Sequence, residues 1–246
     1  MIKLKDIPTR APENLNKKDI KKETGKLIKK IGELSRIYEA DKRHALLIVF
    51  QGMDSSGKDG ATRVTFQYVS PNIVCANSFK KPTDEEMSHD FLWRVHKLVP
   101  GKGKIKVFNR SHYEDVLIQR VHKWINEEHV AKRIDAINNF EELLQFDNNT
   151  TILKFYLHLS RDKQKEKLQE RLDLLRKNWK HNDNDWKEAE LWDDYMFAYE
   201  DVINKSKIKW HIIPADQRWY RNYLVAKIVL ETMENMDLEY PVLNRD

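Results

Sequence analysis

The chain has 246 residues, 40% hydrophobic and 34% charged, and its 44 Lys and Arg against 39 Asp and Glu leave a net charge of +5. Seven Trp, nine Tyr and nine Phe supply the core that a disordered chain lacks, and the length allows one domain or two small ones. The longest apolar run, Ala45 to Phe50, is too short to span a membrane, the first residues lack a secretory h-region, and the lone Cys75 excludes an internal disulfide or a cysteine zinc cluster.

These exclusions point to a cytoplasmic protein. Residues 1–16, with Pro8 and Pro12, read as an extended arm. Leu27, Ile31, Leu34 and Tyr38 recur at helical spacing and predict a helix over 17–42 with lysines on its other face. Ala45 to Phe50 predicts a strand buried on both faces, followed by the loop Gly52–Gly60 and a helix to about residue 68. A second strand is expected over 72–76, with Cys75 in the core. Thr83 to Glu86 reads as a capping box opening a helix that runs to residue 98. After the turn at Pro100–Gly103, a third strand is expected over 104–108, then helices over 113–125 and 130–146. A fourth strand covers 151–159, two highly charged helices cover 161–177 and 186–205, and a fifth strand over 210–213 stops at Pro214. A last helix spans 218–236. This alternation predicts an α/β fold, a three-layer sandwich around a mostly parallel sheet of about five strands. The pattern leaves the strand order open.

Gly52 to Lys58 fits G-x-x-x-x-G-K, between a buried strand and a helix, in a chain with only seven glycines. Gly52, Ser55, Ser56, Gly57, Lys58, Asp59 and Gly60 are therefore candidate phosphate-binding residues. Small side chains let the backbone wrap a phosphate, and Lys58 adds a fixed positive charge. The usual Ser or Thr after the lysine is Asp59, and a second carboxylate, Asp54, lies inside the loop. An aspartate in a phosphate cradle repels its ligand unless a cation stands between them, so Asp54 is the first candidate for magnesium. The other reading of Asp54 is a loop cap.

The third strand runs into Asn109-Arg110-Ser111-His112-Tyr113-Glu114-Asp115. Strand C-termini line the active edge of such sheets, so Arg110 is expected to share a crevice with Lys58. Asn109, Glu114 and Asp115 could contact magnesium, although acids also simply favour a first helical turn. Arg171, Arg176, Lys177, Lys180 and His181 lie on a charged segment that could close over phosphates; the alternative is solvated helix cations. Trp179, Trp186 and Trp192 read as packing anchors. Lys80, Lys81, Arg94, Lys97, Lys102 and Lys104 form either a basic track or a solvated face. His89, His96, His112 and His122 lack zinc-ligand spacing.

Six motifs in order carry a resemblance: Gly52–Gly60, Ser78–Pro82, His89–Arg94, Phe108–Val116, Trp192–Met196 and Ile213–Asp216. Together, over about residues 20 to 240, they resemble the polyphosphate kinase 2 family, in the form of its nucleotide-phosphorylating class III. The resemblance implies a single P-loop kinase domain over 1–246 with a helical lid at about 161–205. It implies magnesium-dependent phosphoryl transfer from inorganic polyphosphate to AMP and ADP, giving ADP and ATP. By motif match, Asp54 and Lys58 become the Walker A carboxylate and lysine, Arg110 the Walker B arginine, and Arg171 a lid arginine. Other branches of the family have Asp where this chain has Asn109. A homo-oligomer, dimer or tetramer, is expected, with no membrane and no nucleic-acid partner. The competing readings are an ATP-dependent nucleoside monophosphate kinase and a non-catalytic P-loop module for nucleic acid or another polyanion.

Overall fold

Strand β1 (Ala45–Gln51) is buried along its whole length, as its unbroken apolar run requires. In the computed structural model, which describes residues 1–243, it is the central strand of a five-stranded sheet. β2 (Val74–Ser78), β3 (Ile105–Asn109), β4 (Thr150–His158) and β5 (Trp210–Pro214) complete it. The order is β2-β3-β1-β4-β5 and every pairing is parallel.

The helices follow in chain order: α1 (Lys17–Asp41), α2 (Lys58–Thr65), α3 (Asp84–Met87), α4 (Trp93–His96), α5 (Glu114–Val121) and α6 (Glu127–Asn148). Beyond β4 come α7 (Arg161–Asp173), α8 (Leu175–Asn178), α9 (Asn184–Glu190), α10 (Trp192–Lys205) and, after β5, α11 (Arg218–Glu234). The two-residue period of β1 divides its side chains between two cores. Leu46, Ile48 and Phe50 meet Ile31 of α1, Ala61 of α2 and Val229 of α11. Leu47 and Val49 meet Val116 of α5, Ile137 of α6 and Tyr199 of α10. Each such burial stabilises by about 2 kcal/mol. No helix among the described residues is long and apolar enough to cross a membrane.

Several expectations need correction. The second strand starts two residues later than its pattern suggests and lies at the sheet edge, so Cys75 is exposed and not in the core. The capping box forms, with Thr83 and Glu86 bonding reciprocally, but its helix lasts one turn. The Ser88 hydroxyl donates back to the Glu85 carbonyl and Asp90 accepts from the Leu92 amide, turning the chain before α4. That turn lets Arg94 point inward, off the expected basic track. The charged helix expected over 161–177 breaks after Asp173, where the Asn178 side chain donates to the carbonyls of Arg171 and Leu172. The helix expected over 186–205 is likewise two, α9 and α10.

The N-terminal arm is docked against the body. A single 3₁₀ turn at Leu4–Asp6 buries Leu4. The amides of Ile2 and Leu4 donate to Asn204 and Glu200 on α10, and Thr9 and Ala11 bond to Asp216 and Gln217 beyond β5.

Candidate active site

The loop between β1 and α2 is wound as its sequence demands. Gly52 and Gly57 have φ of 141° and 94°, and a Cβ at either would collide with neighbours, at 2.7 Å from the Leu157 carbonyl and 1.8 Å from the Arg221 guanidinium. Lys58 opens α2 and is only 8% exposed. Its ammonium arches back to the carbonyls of Gly52 and Met53, at 2.8 and 3.3 Å. Burial, aided by the Arg110 charge, pushes the Lys58 ammonium down to about 8, against the pull of Asp54. Ser56 is buried, and its hydroxyl finds no partner among the described residues. Gly60 sits one turn into α2, outside the cavity lining.

Arg110 arrives from the end of β3. Its amide donates to the Phe50 carbonyl at 3.0 Å, continuing the β1–β3 ladder, and its φ of 61° turns the side chain toward the loop. The guanidinium pairs with Asp54 and, at 3.3 Å, with Glu114; these two carboxylates raise it, Glu114 most strongly. Burial opposes ionisation of Asp54, but Arg110 and Lys58 outweigh it and hold the carboxyl below its ordinary value. Asn109 donates to Asp59, and Lys180 stands 4.0 Å from the same carboxylate.

Asp54, Lys58, Asp59, Asn109, Arg110 and Lys180 line one cavity of about 530 Å³. Seven of its lining side chains are Lys or Arg (Lys58, Lys80, Arg110, Lys167, Arg171, Lys177 and Lys180), against three acids, Asp54, Asp59 and Glu170. The walls therefore carry a net positive charge, which concentrates anions. Among the described residues, no group of three or more His, Cys, Asp or Glu converges as a metal cage. Asp54 inside the loop and Asp59 at the start of α2 are the carboxylates of this segment on the cavity, and so few suit a hard cation that takes its other oxygens from phosphates and water.

Helices α7 to α9 lie over the loop. Arg171 donates to the Ser55 hydroxyl at 2.8 Å and to the Lys180 carbonyl at 3.1 Å, and it pairs with Asp185. Its side chain is only 16% exposed, so it is not one of the solvated helix arginines. Lys167 and Lys177 both grip Glu170, whose carboxyl they hold at about 2 despite the cost of burial.

Some sequence candidates lie elsewhere. Arg94 is buried against Asp115 and the Lys80 carbonyl, and Asp115 also accepts from Gln119. Burial pushes that carboxyl up, away from the charged form a metal needs. Glu114 pairs with Arg110 and lines a small second cavity with Gly52, Asp54 and Arg110. Lys81 and Arg176 do not line the cavity. Trp192 packs as an anchor, but Trp179 is 78% exposed. Sequence reasoning missed Lys167, Glu170 and Asp185, ordinary charges on polar helices that give no signal. It also missed Arg221, which had one: a cation in register with the buried Val225 and Val229 of α11.

The family described as polyphosphate kinase 2 matches residues 14–241. The AMP/ADP-polyphosphate phosphotransferase of Meiothermus ruber is 45% identical over 218 residues, 87% of this chain and 81% of that one. The ADP-polyphosphate phosphotransferase of Rhodopseudomonas palustris is 38% identical over 229 residues, 87% of this chain and 79% of its own. The crystal structure of polyphosphate kinase 2 from Arthrobacter aurescens aligns with a TM-score of 0.95 at 37% identity, over 100% of this chain and 89% of that one. The match runs through the loop, the strand end that carries Arg110 and the helices above them, well beyond the strand–loop–helix that any P-loop protein shares, and the chain belongs to the polyphosphate kinase 2 family.

Proposed function

We propose that this protein transfers phosphoryl groups from inorganic polyphosphate to AMP and ADP, forming ADP and ATP. The cavity carries the reading: seven cations and three acids surround a phosphate loop, a balance that suits a polyanionic donor together with a nucleotide phosphate. The names of the relatives from Meiothermus ruber and Rhodopseudomonas palustris support the same donor and acceptors.

An acceptor phosphate is already an anionic nucleophile, so the chemistry asks for positioning and charge neutralisation more than for a base. The loop amides and Lys58 would hold the transferring group. Arg110 would neutralise it from the strand end, and Arg171 from above as a lid residue. Lys80, Lys167, Lys177 and Lys180 would track the rest of the chain. Asp54 would hold magnesium, which would supply positive charge to offset that of the bound phosphates. Asp54→Asn should then raise the magnesium concentration at half-maximal rate at least several-fold; an unchanged requirement places the metal ligand elsewhere. Exposed Trp124, Phe146 and Phe197 support a homo-oligomer, and a cytoplasmic setting would suit an enzyme in which, among the described residues, no helix is long and apolar enough to cross a membrane.

The test is polyphosphate with AMP and no ATP. ADP should appear, followed by ATP. Turnover with ATP as the only effective donor would make the protein a nucleoside monophosphate kinase. No turnover with either donor would leave a binding module.

A further inference from the structure

Five Lys or Arg side chains of the described residues are buried: Lys58, Arg94, Arg120, Lys154 and Arg221. Arg94 has Asp115, Arg120 has Asp201 and Lys154 has Glu141 as ion-pair partners. The two with no carboxylate within ion-pair distance are Lys58 and Arg221, and both touch the phosphate loop. Burying a charge without a counter-charge is costly, so a fold that keeps one has a use for it.

Arg221 is 4% exposed, on the face of α11 that packs beneath the loop. Its Nη1 donates to the Ser56 carbonyl at 3.0 Å, while Nε and Nη2 donate to the Asn222 side-chain oxygen at 3.2 and 2.9 Å. A Cβ on Gly57 would fall 1.8 Å from Nη1, and one on Gly60 would fall 3.1 Å from Nη2. The guanidinium therefore fills the underside of the turn, and Gly57 is glycine for two reasons at once. The Ser56 carbonyl belongs to the same peptide unit as the Gly57 N–H. Donation to that carbonyl polarises the unit and makes the N–H a stronger donor to an anion on the other side.

We propose that Arg221 is a positioning residue of the phosphate site, whose charge beneath the loop is completed by a phosphate chain bound above it. Asn222 fixes its orientation. The inference rests on the loop being a phosphate site, as the proposed function has it, and it extends the set of charges acting there by one that never touches substrate.

Arg221→Gln and Arg221→Lys test this, with calorimetric binding of tripolyphosphate and of ATP and a thermal melt without ligand. Loss of a charge-assisted bond to the loop should weaken both ligands about tenfold or more in Arg221→Gln. Its ligand-free melt should move by only about 3 °C, because the group removed was an unpaired buried charge. Arg221→Lys keeps the charge and should bind within about threefold of the parent. Unchanged binding in Arg221→Gln overturns the proposal. So does Arg221→Lys binding as weakly as Arg221→Gln, because shape and not charge would then be the cause. Should Arg221→Gln fail to fold, Arg221→Lys decides alone: tenfold weakening with a normal melt overturns the proposal, and near-parent binding upholds it. A parent protein that binds ATP but not tripolyphosphate would refute the polyphosphate donor, while the Arg221 comparison would still be read on ATP.

Discussion

Replacing Arg171 by alanine perturbs two things that must be separated. The side chain reaches the Ser55 hydroxyl of the loop at 2.8 Å, and under the proposed function it would donate to the transferring phosphoryl. Removing one donor aimed at developing charge lowers kcat by about 10²–10³, or about 3–4 kcal/mol. Arg171 also holds Asp185, and the two side chains are 16% and 18% exposed. An exposed pair contributes at most about 1 kcal/mol and a broken buried pair costs about 3–5. A half-buried one falls between, near 1–2 kcal/mol, which for a chain of this length is a melt lowered by about 2–8 °C. Burial and the Asp54 charge already push the Asp185 carboxyl up, so the orphaned acid partly escapes by protonation and the lower end is expected. The double variant Arg171→Ala/Asp185→Ala removes the orphan. Its melt should return toward the parent while its kcat stays at least a hundredfold down. Steady-state kinetics with polyphosphate and AMP, run beside melts of all four members of the cycle, give the answer. If the double variant recovers kcat together with the melt, Arg171 works by anchoring α7 to α9 and contributes nothing to transition-state charge.

Lys58→Ala should abolish turnover with the melt intact, and Lys58→Arg should also be poor, since a guanidinium cannot fold back onto the Gly52 carbonyl as the ammonium does; near-normal rates in either would remove Lys58 from the chemistry. Glu141→Gln leaves Lys154, at 0% exposure, without its counter-charge, and should cost about 3–5 kcal/mol in urea unfolding; an unmoved midpoint would mean that the pair is not ionic. Burial opposes ionisation of Glu141, but His112 and Lys154 hold its carboxyl low, so its stabilisation is present above the ordinary carboxylate range and is lost as pH falls through the depressed value. His158 is the opposite case: burial holds its imidazole below 6.5, so the folded state takes up fewer protons than the unfolded chain, and stability should drop as pH falls through that window. Melts of the parent and His158→Gln from pH 7.5 to 5.5 check this, and equal slopes in the two would exclude it.

How far the sequence carried the fold depended on how local each cause was. β1 and its loop were legible because an apolar run, two glycines that only glycine can replace, and a lysine all lie within 14 residues of chain. Arg110 was legible because it follows a strand directly. The breaks at Ser88–Leu92 and after Asp173 were not, because each is made by a side chain reaching back along a segment whose pattern continues as helix. Cys75 was misplaced because a short strand with small residues looks the same at the edge of a sheet as at its centre. The clasp of Arg171 on Asp185 joins residues 14 apart across a turn, where no local pattern speaks, and the register of Arg221 with Val225 and Val229 marks a buried cation but does not name the loop 165 residues away that it meets.

The docked N-terminal arm has a consequence for how the molecule comes into being. Its hydrogen bonds to α10 and to the chain beyond β5 span 196 to 207 residues. On a ribosome, the arm must wait for partners made 196 to 207 residues later. Contacts of such separation form late, because the closure of so long a loop is entropically unfavourable until the rest of the fold supports it. The contacts of the arm with α10 and with the chain beyond β5 are therefore expected among the last to form. A nascent chain that already holds β1 and α2 but has not yet made α10 lacks this clasp.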